Sequence, residues 1–430
     1  MIRPTAESCL ADWLDWLLNL HSQEIELGLT RVAQVAERLA VLRPAPYVIT
    51  VAGTNGKGSS VAMLTSIMRA AGYKVGSYTS PHIFRFNERI RINGVEVDDQ
   101  SIVQAFSQIE SVRNEISLSY FEYTTLAALL LFKQASLDLV VLEVGLGGRL
   151  DAVNIVDADA CLLTAIDVDH IDWLGSDREQ IGYEKAGVMR AGALAVCSDP
   201  QPPKSVIKHA EKIEAKLSLL GRDYQYRLMD KQAWLLIDQN QQQTVWPRPA
   251  LGGDFQCQNA AGVLALIHAQ SAFKVSSQAI ERGLKQANNP GRLQAIQRDK
   301  QAWLFDVAHN PQSVGALAGY LDQQRNEAKL EKAKTLAIFA GLNDKDLAPM
   351  VSQITPYIDG WLLVDLAVAR ATTLVELQEV LRLAGVSHEK SIAFDTMSKA
   401  MDWAKQSAYQ QIVVYGSFIT VSQALEKLDG

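Results

Sequence analysis

PYVITVAGTNGKGSSVAMLTSIMRA runs from Pro46 to Ala70, and its reading decides the fold class. The first seven residues are mostly apolar or β-branched, the pattern of a strand buried on both faces. GTNGKGSS (Gly53–Ser60) follows at once, and Lys57 to Ala71 then reads as a helix. Strand, glycine-rich turn and helix N-terminus together can cradle a phosphate, because backbone N–H groups point inward and the helix dipole favours an anion. Gly53, Gly56 and Gly58 permit the turn and a close backbone approach, and Lys57 supplies a mobile cation for terminal phosphates. Ser59 or Ser60 offers a hydroxyl to Mg²⁺. Gly58 intervenes between lysine and serine, so the loop is a variant of the common one.

The same texture continues outward. YKVGSYTS (Tyr73–Ser80), LDLVVLEVG (Leu137–Gly145), ACLLTAID (Ala160–Asp167) and LAVCS (Leu194–Ser198) read as further strands. Buried strands alternating with helical patterns predict a parallel α/β sheet covered on both faces. Residues 199–250 are polar and read as a peripheral hairpin or excursion, with QNQQQ at Gln239–Gln243. NNPGR (Asn288–Arg292) is a turn-rich break. Beyond it AWLFDVA (Ala302–Ala308), TLAIFAG (Thr335–Gly341), GWLLVDL (Gly360–Leu366), SIAF (Ser391–Phe394) and QIVVYGS (Gln411–Ser417) restart the pattern. Two α/β domains are therefore expected, over residues 1–290 and 291–430.

Composition narrows the function. A chain of 430 residues suits two or three domains at roughly 150 residues each. A net charge of −7 excludes a generally basic surface for nucleic acid, though not a small cationic pocket. Cys9, Cys161, Cys197 and Cys257 form no C-x-x-C pair and read as reduced thiols. No apolar run is long enough to span a membrane. Leu10, Trp13, Leu14, Leu17 and Leu18 make an amphipathic helix with Asp12 and Asp15 among them, not a signal peptide, so a cytoplasmic protein is expected.

Ligands in open α/β sheets bind beyond the carboxyl ends of the strands. Glu143 ends one strand there, placed to hold Mg²⁺ or orient its water. Ser80 and His170 lie just past two others, although Mg²⁺ prefers oxygen to a histidine nitrogen. Lys185, in GYEKAG, reads from spacing alone as part of a solvated helix face. In the second half FDVAHNP places Asp306, His309 and Asn310 at a strand end, with Asp306 suited to a ribose hydroxyl. Arg292 suits a phosphate or carboxylate. Asn259, at the start of a helical pattern, either reads an adenine edge or caps the helix.

Together TVAGTNGKGS, YTSPH, FEYTT, LEVGLGGRLDAVN, DHIDWLG, YEKAG, PGR and FDVAHNP resemble the bacterial folylpolyglutamate synthases, particularly the bifunctional dihydrofolate synthase form. The resemblance runs from HSQEIELGLTRV (His21–Val32) to VYGSF, and more distantly reaches the Mur ligases. It implies a P-loop NTPase-like, Mur-ligase-type ATP-binding domain with a pteroate pocket, followed by a smaller Rossmann-like ligase domain. It implies an ATP-dependent ligase joining L-glutamate to dihydropteroate and to the glutamyl tail of reduced folates through an acyl phosphate. Mg²⁺, two ions by family habit, a monovalent cation such as K⁺ and a monomer acting on small molecules follow from the same likeness.

Carried over by position, Thr54, Asn55, Gly56, Lys57, Gly58 and Ser59 match the ATP loop, and Asn259, Arg292 and Asp306 match further ATP contacts. Ser80, Glu143 and His170 match Mg²⁺ ligands, and Lys185 the lysine carried as a carbamate (N6-carboxylysine). Glu26, Leu27, Gly28 and Leu29, Ser119, Tyr120, Phe121 and Glu122, and Leu150, Asp151 and Ala152 match the pteroate pocket, with Phe121 as an aromatic face. His309 and Ser417 are further candidates. Ile419 stands where a polar residue such as His is expected. A Mur-type ligase acting on a UDP-linked peptide would need a further N-terminal domain, and only about 50 residues precede this loop. A small-molecule kinase would not need glutamate, and a guanine switch would carry N-K-x-D, which is missing here.

Overall fold

β1 (Tyr47–Ala52) is the strand that PYVITVA predicts, and it lies inside an eight-stranded sheet. The computed structural model describes residues 3–21, 26–328 and 333–429, so residues 22–25 of the HSQEIELGLTRV segment lie outside it. The chain divides into two units, residues 1–250 with 256–288, and residues 251–255 with 289–430.

In the first unit β2 (Val75–Tyr78), β3 (Ile90–Ile92), β4 (Val95–Glu96), β5 (Leu139–Glu143), β6 (Ala160–Leu163), β7 (Leu194–Cys197) and β8 (Lys216–Leu219) complete the sheet in the order β4-β3-β2-β5-β1-β6-β7-β8. The strands from β2 to β8 in that order are parallel, with Thr50 of β1 opposite both Leu142 and Cys161. These strands are apolar because both faces are covered. Val48, Val140 and Leu142 join a core with Trp13, Phe106, Tyr123 and Phe132, under the helices Leu10–Leu18, Asp99–Arg113 and Tyr120–Gln134. Cys161, Leu163 and Ala195 instead meet Ile181 and Val206 of the helices Arg178–Ala186 and Lys204–Lys212.

Two expectations need correction. The sheet is not purely parallel, because β3 and β4 form an antiparallel ribbon at its edge. RIRINGVEV alternates charged and apolar residues, so it gives a half-wet hairpin instead of an apolar run. Asn93 and Gly94 turn it at φ +53° and +77°, as a two-residue hairpin loop requires. Nor is residues 199–250 one excursion: the helix Lys204–Lys212 and β8 extend the main sheet. Only β9 (Gln225–Leu228), β10 (Ala233–Ile237) and β11 (Gln243–Pro247) form a separate antiparallel sheet.

The second unit holds β12 (Gln294–Arg298), β13 (Gln301–Asp306), β14 (Thr335–Phe339), β15 (Gly360–Val364), β16 (Ser391–Phe394) and β17 (Gln411–Tyr415), ordered β12-β13-β17-β14-β15-β16. All neighbours are parallel except the edge strand β12, which the apolar-run criterion misses because only one of its five residues is strongly apolar. Phe339 and Tyr415 stack at 4.8 Å in its core, with Trp361 against them. Among the described residues no helix is long and apolar enough to cross a membrane.

Candidate active site

The strand order brings the ends of β5, β1 and β6 side by side, and so gathers the loops that follow them. After β1, Gly53 (φ +152°) packs so closely on Thr164, the residue after β6, that a Cβ would lie 1.8 Å from its Oγ1. Gly56 (φ +93°) is the N-cap of the helix Lys57–Ala70, and its missing Cβ leaves room for Asn259 Oδ1. Both glycines are therefore required by conformation and by space. Thr54 ties the loop to the segment after β6: its N–H donates to Ala165 O at 2.7 Å, its hydroxyl donates to Asp167 O at 2.9 Å, and it accepts from Asp167 N at 3.0 Å. Asn55 forms an isolated bridge with Ala165. Gln256 Nε2 donates to Ser59 Oγ at 3.1 Å and Asn259 Nδ2 to Gln256 Oε1 at 3.0 Å. Asn259 is buried one turn inside the helix Phe255–Ala269 and is not its cap, which removes one of its two readings.

Two amines converge on one oxygen. Gly53 O accepts from Lys57 Nζ at 3.0 Å and from Lys185 Nζ at 2.8 Å. The solvated-face reading of Lys185 is thus corrected: it is buried, on the inner face of the helix Arg178–Ala186. Burial, with Lys57 nearby, lowers its pKa to about 7, against the opposing pull of Asp169 and Asp151. That helix is locked to the glycine-rich loop after β5. Arg149 N donates to Glu184 O at 2.7 Å, and the Arg149 guanidinium donates to Glu184 Oε1 at 2.8 and 3.1 Å.

Asp151 is buried with its carboxylate accepting from Leu146 N and Val153 N at 2.9 Å each. Burial raises its pKa to about 6, and the backbone amides and Lys57 oppose the rise. Glu143, buried at the end of β5, accepts from Ser80 N at 3.3 Å, so these two candidate ligands meet. His170 follows β6 at φ +53°, in the left-handed region, and starts the short helix Ile171–Leu174. A non-glycine residue held there points to an imposed position. Among the described residues no three His, Cys, Asp or Glu side chains converge as a metal cage. The oxygens of Glu143 and Ser80 still fit Mg²⁺, which commonly takes one or two carboxylates and fills its shell with phosphate and water.

The three candidate pteroate segments also come together. Gly28 N donates to Leu150 O at 3.3 Å. Arg31 pairs with Glu26 and, at 3.1 Å, with Glu122. Ser119 and Glu122 form a capping box for the helix Tyr120–Gln134. Phe121 stands against Tyr78 at 6.0 Å and fills the space over Gly145, where a Cβ would lie 2.6 Å from its ring. Leu27, Leu29 and Ala152 lie within these segments.

In the second unit the candidates again collect at strand ends. Asp306, buried at the end of β13, accepts from Leu293 N and Ala308 N at 2.8 Å each. Burial raises its pKa, and Arg292 opposes the rise. Arg292 Cζ lies 4.9 Å from the Phe418 ring, with the His309 ring 5.9 Å from the same aromatic. Ser417 is buried, and its hydroxyl bonds Thr420 Oγ1 at 2.7 Å and accepts Thr420 N at 3.0 Å, so it serves the helix Phe418–Asp429. Ile419 lies half-buried in that helix. Residues that the motifs did not signal include Thr164, Gln256 and Arg149; each matters through a long-range contact, which no local pattern carries.

Residues 51–267 match the Mur ligase middle domain, and residues 291–418 the Mur ligase glutamate ligase domain. The chain is 44% identical over 428 residues to the dihydrofolate synthase/folylpolyglutamate synthase of Escherichia coli K12, covering 99% of this chain and 97% of that one. It belongs to this family of Mur ligases. The Haemophilus influenzae relative of the same name is 38% identical, covering 97% of each chain. Among solved structures, E. coli FolC in complex with DHPP and ADP superposes with a TM-score of 0.92 at 43% identity, covering 99% of both chains. A bifunctional folylpolyglutamate synthase/dihydrofolate synthase with Mn, AMPPNP and L-glutamate bound gives a TM-score of 0.90 at 41% identity, covering 99% of this chain and 100% of that one.

Proposed function

We propose that this family member is an ATP-dependent ligase that adds L-glutamate to dihydropteroate, forming dihydrofolate, and to the glutamyl tail of reduced folates. The single observation that carries the reading is the convergence of Lys57 and Lys185 on Gly53 O, at the mouth of a loop built to hold phosphates. The names of the relatives support the choice of substrates.

In this reading the acceptor carboxylate takes the γ-phosphoryl group of ATP, releasing ADP and leaving an acyl phosphate. The glutamate amine adds to that carbonyl, and phosphate departs from the tetrahedral adduct as the amide forms. A carboxylate approaching a polyanion is repelled, so cations must cancel the charge before reaction. Lys57 is the mobile cation. Thr54 and Asn55, whose N–H groups bond Ala165 O, shape the loop, Gly56 to Ser59 hold the phosphates through backbone N–H groups, and Asn259, Arg292 and Asp306 contact the rest of the nucleotide. Ser80, Glu143 and His170 would hold Mg²⁺, whose contribution is to neutralise phosphate oxygens. His309 and Ser417 are further candidate site residues at strand ends of the second unit.

Lys185 suits carbamate formation. Its buried amine is about half neutral near pH 7, and a neutral amine adds to CO₂, releasing a proton and giving a carboxylate-like group. Glu26–Leu29, Ser119–Glu122 and Leu150–Ala152 line the pteroate pocket, with Phe121 facing the pterin ring. Residues 1–290 then form the ATP- and pteroate-binding domain and residues 291–430 the ligase domain of a cytoplasmic monomer, with a second Mg²⁺ and a K⁺-type ion assisting.

The test incubates the protein with Mg-ATP, labelled glutamate and either dihydropteroate or tetrahydrofolate. Label in the folate product and stoichiometric ADP are expected; phosphate release without glutamate incorporation, for both acceptors, rejects ligase chemistry.

A further inference from the structure

The loop after β2 is unusually well pinned. The Glu88 carboxylate accepts from Ile83 N, Phe84 N and Arg85 N at 2.8, 2.6 and 2.8 Å. Asn87 Nδ2 donates to Val97 O at 2.7 Å and to Asp99 at 2.8 Å. What this scaffold presents is Arg89, only 9% exposed. Its Nε donates to His82 Nδ1 at 2.9 Å, and its Cζ lies 5.7 Å from the Tyr120 ring and 5.8 Å from that of Phe86.

Among the described residues no carboxylate pairs with this guanidinium. Neither Nη atom bonds the protein, and neither is sealed off from surface. A buried cation without a counter-ion is costly unless an anion completes it. The donors that remain are the planar fork that fits a carboxylate. Tyr120, on whose ring the guanidinium lies, belongs to the segment assigned above to the pteroate pocket.

We propose that Arg89 is a specificity-determining residue that binds the non-reacting carboxylate of a glutamylated acceptor, with His82 as its positioning residue. The proposal rests on the ligase reading and sharpens it. Dihydropteroate carries one carboxylate, which is consumed by activation. A folate tail carries two on its last glutamate, so one is left for recognition. Arg89 therefore weighs on the second activity far more than on the first.

The test compares Arg89→Met, Arg89→Lys, His82→Phe and His82→Gln, reading KM and kcat for dihydropteroate and for tetrahydrofolate on the same samples. In Arg89→Met, KM for tetrahydrofolate should rise about 10- to 100-fold more than KM for dihydropteroate, the worth of a charged hydrogen bond. Arg89→Lys, which keeps charge but loses the fork, should fall between. His82→Phe should shift the same ratio less, and His82→Gln, which keeps an acceptor, should restore it toward wild type. Misfolding lowers both activities alike and leaves the ratio unmoved, so an unmoved ratio in every variant, Arg89→Lys included, overturns the proposal. Failure of the wild-type protein to incorporate glutamate into either acceptor would instead reject the ligase reading beneath it.

Discussion

The two units use the carboxyl ends of their parallel strands differently. In the first, two amines are crowded together: Lys57 and Lys185 share Gly53 O, and burial with Lys57 nearby drives Lys185 to about 7. In the second, the candidate groups double as structure. Asp306 accepts two backbone N–H groups, Asn310 accepts Ser313 N at the start of the helix Pro311–Ala328, Ser417 serves the helix Phe418–Asp429, and Arg292 lies on Phe418. Two amines crowded onto one carbonyl gain from an anion that joins them, whereas a carboxylate or hydroxyl that already accepts backbone N–H groups mainly fixes a loop. Substitution of either lysine should therefore lower activity without lowering stability, and substitution of the second unit's groups should lower both.

Lys57→Ala is the severest break of that contrast. Loss of a preorganised cation facing developing phosphate charge should cost about 10²- to 10³-fold in kcat. The thermal midpoint should change little, because Lys57 Nζ bonds Gly53 O and Thr54 O of its own loop at 3.0 and 3.1 Å, and Lys185 still donates to Gly53 O in its absence. Steady-state ligation and a melting curve on the same sample check both halves. A variant that melts early and keeps its rate would invert the comparison.

Lys185 tests the contrast through pH. Folding lowers this amine from 10.5 to about 7, so between those values the unfolded chain holds a proton that the folded chain lacks. Stability must then rise as pH climbs from about 7 toward 10.5, and the penalty for burying the charge is complete below 7. Lys185→Met removes this dependence. In CO₂-free buffer its stability gain over wild type should be largest below pH 7 and shrink by pH 10, as read by urea unfolding. Parallel curves would mean that the amine is not titrating between those limits. Its activity should drop with Lys57→Ala, and wild-type activity should fall when CO₂ is stripped and return with bicarbonate.

How much of this was legible in sequence follows from the same physics. β1, the Gly53–Ser60 loop and the helix behind it are local, and Glu143 is announced by the apolar run it ends; all were readable from spacing. The β3–β4 ribbon was not, since RIRINGVEV lacks an apolar run, and β12 with its polar QAIQR fails the same criterion. Lys185 read as solvated because a helix shows its buried face only where it packs, here against Gly53 from 132 residues away. Asn259 looked like a cap because the helical pattern was read as starting at QNAAG, whereas the helix begins earlier, at Phe255. Arg89 stood in plain view in SPHIFRFNERI, yet nothing in the text says that its charge goes unpaired.

Asp306→Asn gives the smallest and most discriminating effect. The carboxylate accepts Leu293 N with one oxygen and Ala308 N with the other, and so ties the Arg292 turn to the end of β13. An amide keeps one acceptor but sets an N–H group against the second donor, which should cost about 1–3 kcal/mol for the buried group left unsatisfied. The raised pKa of Asp306 tempers this at low pH, because a protonated carboxyl already gives up part of the second bond. The wild-type advantage should therefore shrink as pH falls toward the ordinary carboxylate range, and KM for ATP should rise alongside the loss of stability. A higher KM for ATP with an unchanged melting profile would place Asp306 with Lys57, as a group reserved for ligand, and the division between the two units would no longer hold at this position.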